Sequence, residues 1–264
     1  MRFKATVAYD GHAYAGFQKQ SNSLGIQSIL EEALEKIIGI PTPIVASGRT
    51  DAKVHALGQV FHFDGPANIH PYGYYNALNT LLPKDIRIKA VEEVPDDFHA
   101  RFWAIQKHYE YIITQERDNP FTYHYKHFVW RSLNLEVMKQ GAHYLEGTHD
   151  FTSFCCAQID PRKSRIKTIS KIEIVKHGQD IHIHYYGNGF LRYQVRMMSA
   201  ALIALGEGKI TLEQFQAILE AKDKYACRFN APAKGLYLVE VEYGQDPRAL
   251  LDNKFQELEK LEKT

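Results

Sequence analysis

The residues best suited to chemistry crowd into one stretch, Ser47 to Phe63, reading SGRTDAKVHALGQVFHF. Arg49, Asp51 and His55 stand among turn formers. The stretch then becomes Gln59-Val60-Phe61-His62-Phe63, the pattern of a polar loop feeding a packed strand. On residue type alone Asp51 has two readings. As a turn or cap residue it bonds backbone N–H groups. As a catalytic carboxylate it is kept ionised by Arg49, two positions away, which nucleophilic or general-base work requires. A second pair, Tyr109 and Tyr111, falls in Lys107-His108-Tyr109-Glu110-Tyr111-Ile112-Ile113, where strand periodicity sends both rings to one face. Such rings pack in a core or offer a stacking platform.

Cations are scattered rather than massed. Arg162, Lys163, Arg165 and Lys167 follow Asp160-Pro161, and together with Lys19, Lys53, His55 and Arg101 they are the candidate contacts to a phosphate backbone. Each alone is more often a solvated surface charge. Among thirteen histidines, His182 and His184 share a strand face, but no H-E-x-x-H or Cys-His spacing supplies a third ligand, so neither a metal nor a cofactor is expected. Asp96-Asp97 is too small a carboxylate cluster for a metal-dependent phosphodiesterase.

The elements that must carry these groups follow from periodicity. Phe3, Ala5, Val7 and Tyr9 alternate as a strand ended by Asp10-Gly11, and Ile26 to Ile37 recur at helical spacing within a helix from about Ser23 to Ile38. A short strand leads into the Asp51 loop. Tyr74 to Leu82 reads as a helix ended by Pro83, and Ile86, Ile88 and Ala90 as another strand. Further on, Ile172–Val175 and Ile181–Tyr185 form a hairpin around 177–180. Phe190, Leu191, Val195, Met198, Leu202 and Leu205 mark a helix closed by Gly206. Thr211 with Gln214 is a capping box, and Gly235 to Val241 a last strand. The groupings suggest two α+β halves, 1–104 and 105–245, followed by a charged tail, 246–264, with a helical apolar stripe.

The 264 residues, 45% hydrophobic and 24% charged, are those of an ordinary globular protein, and a net charge of +1 excludes a generally basic polyanion binder. Three cysteines without a C-x-x-C exclude a disulfide framework and imply a reducing cytoplasm. No apolar run is long enough for a bilayer.

Ser47, Gly48, Arg49, Thr50, Asp51, Val54, His55, Ala56, Gly58, Gln59 and Val60 match a signature of the form SGRTDxGVHAxGQV, and Tyr9 to Gln20 match YDGxxYxGxQxQ. In these segments the chain resembles the bacterial tRNA pseudouridine synthase A family. One position departs, Lys53 standing where the signature has glycine. The resemblance implies a tRNA-modifying isomerase that needs no cofactor and acts on uridines 38, 39 and 40 of the anticodon stem-loop, working as a homodimer. It implies two ferredoxin-like halves joined into one extended antiparallel sheet, with helices on one face and the active-site cleft between the halves. It further implies Asp51 as nucleophile, Tyr109 stacking on the target base, Arg196 of the FLRYQVR segment pairing with Asp51, and Leu236 of GLYL near the uracil. Taken as an isolated residue, Arg196 would be a solvated helix arginine. The rival reading is a non-catalytic tRNA-binding or folding module on the same scaffold, which only Lys53 favours.

Overall fold

The computed structural model describes residues 1–117, 119–156, 158 and 164–244. The first half lays out β1 (Arg2–Tyr9), α1 (Ile26–Ile38), β2 (Val45–Ala46), β3 (His55–Asp64), α2 (Pro71–Leu81) and β4 (Ile86–Val94). β1 is buried on every second residue. Phe3 and Phe63 of the paired β3 meet Tyr74 of α2, with ring centroids 4.8 to 5.4 Å apart. This aromatic contact seats the helices on one face of the sheet.

The second half comprises β5 (Ala104–Thr114), β6 (His127–Phe128), α3 (Leu135–Leu145), β7 (Gly147–Asp150), β8 (Ile166–His177), β9 (Asp180–Gly187), α4 (Gln194–Gly206), α5 (Leu212–Glu220) and β10 (Leu236–Tyr243). Here Tyr185 of β9 and Ser199 of α4 share a hydrogen bond of 2.8 Å, both groups fully buried, which fixes α4 over β9. Thr211 and Gln214 form the capping box that their spacing predicts.

Strand order is β4-β1-β3-β10-β5-β9-β8-β7, with β2 beside β3 and β6 beside β5. Each half places its outer strands in the same way, β4-β1-β3-β2 in one and β10-β5-β9-β8 in the other. This is the ferredoxin-like order. The sheet is antiparallel except at two short joins, β5 with β6 and the seam between halves, where β10 pairs parallel with β3. The expected extended antiparallel sheet is present, with these two short parallel joins within it. β3 has already given its neighbouring edge at Phe61 and His62 to β2, so β10 meets it only at His55 and Ala56. Gly58 permits the approach, since a Cβ there would lie 2.4 Å from the Val239 carbonyl oxygen.

Three helix starts differ from the periodic reading. α2 opens at Pro71 rather than Tyr74, because His70 caps it and proline suits the first helical position. α1 begins at Ile26, after Gly25, because the Gly16 and Phe17 carbonyls accept its first N–H groups. α4 begins at Gln194. Phe190 and Leu191 precede it in a turn closed by the Gln194 N–H on the Leu191 carbonyl. α3 and β7 were not anticipated. Arg162, Lys163 and the tail 246–264 lie outside the described residues. No helix among the described residues is long and apolar enough to cross a membrane.

Candidate active site

The Asp51 loop is built by its own motif residues. Ser47, fully buried, donates its hydroxyl to Gln59 Oε1 at 2.7 Å, and Gln59 Nε2 donates to the Gly48 carbonyl at 3.1 Å. From β5, Lys107 Nζ donates to the Ser47 carbonyl at 2.7 Å. Thr50 Oγ1 lies 2.7 Å from the Tyr9 hydroxyl. The segment after β1 braces the other side, where Phe17 N–H donates to the Thr50 carbonyl and Lys53 N–H to Tyr14. Gly16, at φ +100°, lets the two loops touch, a Cβ there falling 2.7 Å from the Thr50 oxygen. The two matching motifs therefore form one scaffold.

Asp51 opens a tight turn closed by Val54 N–H on the Asp51 carbonyl. Lys53 occupies the third position of that turn at φ +66°, a left-handed angle that glycine adopts freely and that costs an L-residue about 1–2 kcal/mol. Lys53 thus takes a left-handed conformation of the kind glycine favours, and its side chain is exposed.

Facing Asp51 are two arginines, Arg192 from the turn before α4 and Arg196 from its first turn. Arg196 Nη1 is 3.6 Å from Asp51 Oδ2, and Arg192 Nε is 3.9 Å from Oδ1. Tyr193 between them, at φ +68°, presents its ring to both guanidinium groups at 4.9 and 5.0 Å. Arg196 is further tied by Nε donating to the Ala231 carbonyl at 2.8 Å. Burial raises the Asp51 carboxyl above the ordinary carboxylate value, and Arg196, then Arg192, oppose that shift. Tyr109 rises from β5 on the helix-bearing face, 8% exposed, with Phe190 edge-on at 5.2 Å. Burial pushes its phenol up, with Tyr9 and Asp51 adding to the effect, so at neutral pH it carries its proton.

The structure thus brings Asp51, Arg196 and Tyr109 together. Arg49 is exposed, and among the described residues the cations within 4 Å of Asp51 are Arg196 and Arg192. Arg192 was given no role by the sequence reading, although it stands in the same FLRYQVR segment. Leu236 is buried at the start of β10 opposite Tyr111, while Leu238 is the residue opposite Tyr109.

The expectation that His55 contacts RNA is corrected. The ring is 2% exposed, stacked on Tyr237 at 4.7 Å, with Nδ1 3.2 Å from Gly11 N–H and 3.1 Å from Asp10. Its Nε2 meets the His124 carbonyl at 3.1 Å, so the residue clamps loops from inside. Lys19 is exposed and pairs with Glu31 at 3.2 Å. Arg165 is half-buried, with Nη1 3.3 Å from Cys155 Sγ. Arg101 is exposed on the 95–103 segment, which packs through Phe98 against His62 and Tyr243 on the face away from the helices.

A family profile described as tRNA pseudouridine synthase matches residues 5–103 and 142–244, segments that include Asp51 and both arginines. The chain belongs to the tRNA pseudouridine synthase family. Relatives named tRNA pseudouridine synthase A extend the likeness through β5. That of Exiguobacterium sibiricum is 40% identical, covering 94% of this chain and 99% of its own. Another from Exiguobacterium sp. is 45% identical over 92% and 98%, and that of Bacillus subtilis 42% over 92% and 99%. Among solved structures, a chain of a Cbf5-Nop10-Gar1 complex aligns with 91% of this chain and 59% of its own at 11% identity and a TM-score of 0.35, too loose to carry an argument.

Proposed function

We propose that this protein isomerises uridine to pseudouridine in tRNA, with Asp51 as the carboxylate that acts on the ribose and Tyr109 as the surface that holds the base. The reaction breaks the bond from N1 to the sugar carbon, turns the uracil, joins C5 to the same carbon and moves a proton from C5 to N1. Oxidation states are unchanged. The observation that carries the reading is the placement of Asp51 between Arg196 and Arg192 beside the buried Tyr109. A buried carboxylate with a raised proton affinity, held against two guanidinium groups, has the character of a nucleophile or base. A base inside a stem must leave its stack to arrive there, and an aromatic ring supplies the substitute stacking surface.

Lys53 gives no support to the non-catalytic rival, because it adopts a left-handed backbone angle and leaves the Asp51 turn closed. Positions 38, 39 and 40 of the anticodon stem-loop and a homodimeric assembly rest on the sequence resemblance, whereas a role for exposed Lys53 and Lys19 at tRNA phosphates rests on their charge.

The test incubates the protein, in EDTA, with unmodified tRNA transcripts and maps pseudouridine by carbodiimide adducts that stop reverse transcription. Stops in the anticodon stem-loop that disappear with Asp51→Asn are the expected result. Wild-type protein that binds tRNA without modifying it would overturn the proposal.

A further inference from the structure

The sheet face opposite the helices carries a group of side chains that the proposed reaction does not use. Glu110 on β5 lies directly across from His184 on β9, and His182, two residues along, points to the same side. Glu110 Oε1 is 2.5 Å from His182 Nδ1 and 3.8 Å from His184 Nε2. One ligand atom from each of the three lies within 4.8 Å of the others. From sequence, His182 and His184 lacked a third ligand. The pairing of β5 with β9 supplies it.

We propose that Glu110, His182 and His184 form a binding site for a divalent first-row transition cation of the zinc type. Two imidazole nitrogens and one carboxylate oxygen are the donor set such ions take, with a fourth position left to water. Ligand atoms around tetrahedral zinc stand about 3.3 Å apart for metal–ligand bonds of about 2.0 Å. The present separations, 2.5 and 3.8 Å from Glu110 and none above 4.8 Å, bracket that value.

A fourth residue prepares the site. His108 Nε2 is 3.0 Å from His184 Nδ1, and the His108 ring is stacked on Tyr186 at 4.3 Å with planes 16° apart. With His184 Nδ1–H donating to His108, the His184 Nε2 lone pair is left facing Glu110. This outer hydrogen bond fixes tautomer and ring orientation as it does for metal-bound histidines. The three side chains are 15 to 21% exposed, sheltered yet reachable from solvent. On binding, the cation takes the place of the direct contact between His182 Nδ1 and Glu110 Oε1. The site then bridges the two central strands of the second half.

The test uses the full chain, purified without a polyhistidine tag, stripped with EDTA and desalted, then titrated with zinc chloride by calorimetry. One zinc per chain with a dissociation constant of roughly 10 μM or tighter is expected. The near-isosteric Glu110→Gln weakens it at least about tenfold, and His108→Phe weakens it about 10- to 100-fold although it removes no ligand. His143→Gln, altering an exposed histidine on α3, leaves it unchanged. Metal-free circular dichroism and melting curves establish that each variant is folded. A cobalt-substituted sample showing the visible bands of a four-coordinate ion, lost in a His182→Gln/His184→Gln variant, supports the site independently. No zinc binding by the wild type, or binding unaltered in Glu110→Gln and in the double histidine variant, would overturn the proposal.

Discussion

Asp51 is caught between opposing influences, burial lifting its proton affinity and Arg196 with Arg192 lowering it. Catalysis by its ionised form must therefore fail on the acid side at a pH above that of an ordinary aspartate. Replacing Arg196 removes the largest opposing charge, favours the protonated form and moves that acid limb to still higher pH. The pH profile of kcat/KM for Arg196→Gln checks this. Losing a charged partner at about 1–3 kcal/mol, with tenfold in rate for each 1.36 kcal/mol, also lowers activity near neutrality by roughly ten- to a hundredfold. Arg192, more exposed and farther away, gives a smaller displacement in the same direction. The carboxylate and its partner Arg196 were legible through motifs at two places in the chain. Arg192 was not, because an arginine next to a tyrosine reads as surface until the positive φ of Tyr193 turns the chain toward the cleft.

At the scale of elements, the Asp51 loop hangs from β3 and Tyr109 sits on β5, so β10 between them sets their spacing. At Gly58 that seam has no room for a side chain. Gly58→Val places a branched side chain where Val239 now approaches, and a destabilisation of about 1–3 kcal/mol is expected by urea unfolding, with kcat reduced as well. Leu57→Ala, next to it but half exposed, changes stability by less than about 0.5 kcal/mol. Strands with strict alternation, such as β1 and β9, were legible because each buries one face. The start of α4 was not. Phe190 and Leu191 continue the apolar spacing of the helix, yet they serve the turn that aims Arg192 and Arg196, and periodicity cannot separate packing within a helix from packing just before one.

For the molecule as a whole, a net charge of +1 means that tRNA affinity must come from local cations rather than a general field. Lys53, exposed on the Asp51 turn, is placed for such a contact. Lys53→Ala is expected to reduce the slope of log affinity against log salt by about one, read from filter binding over a range of salt. The sequence by itself determined the family, the mixed α+β class, Asp51 and the residues of its loop, because these depend on residue types at fixed local spacing. Only the tertiary structure decided that Arg192 joins Arg196 at Asp51 and that His55 is a buried clamp. It also decided that β10 joins the halves in parallel, and that Glu110 lies beside His182 and His184. Each of these depends on strands or turns far apart in the chain meeting in a particular register, and no local pattern carries that register.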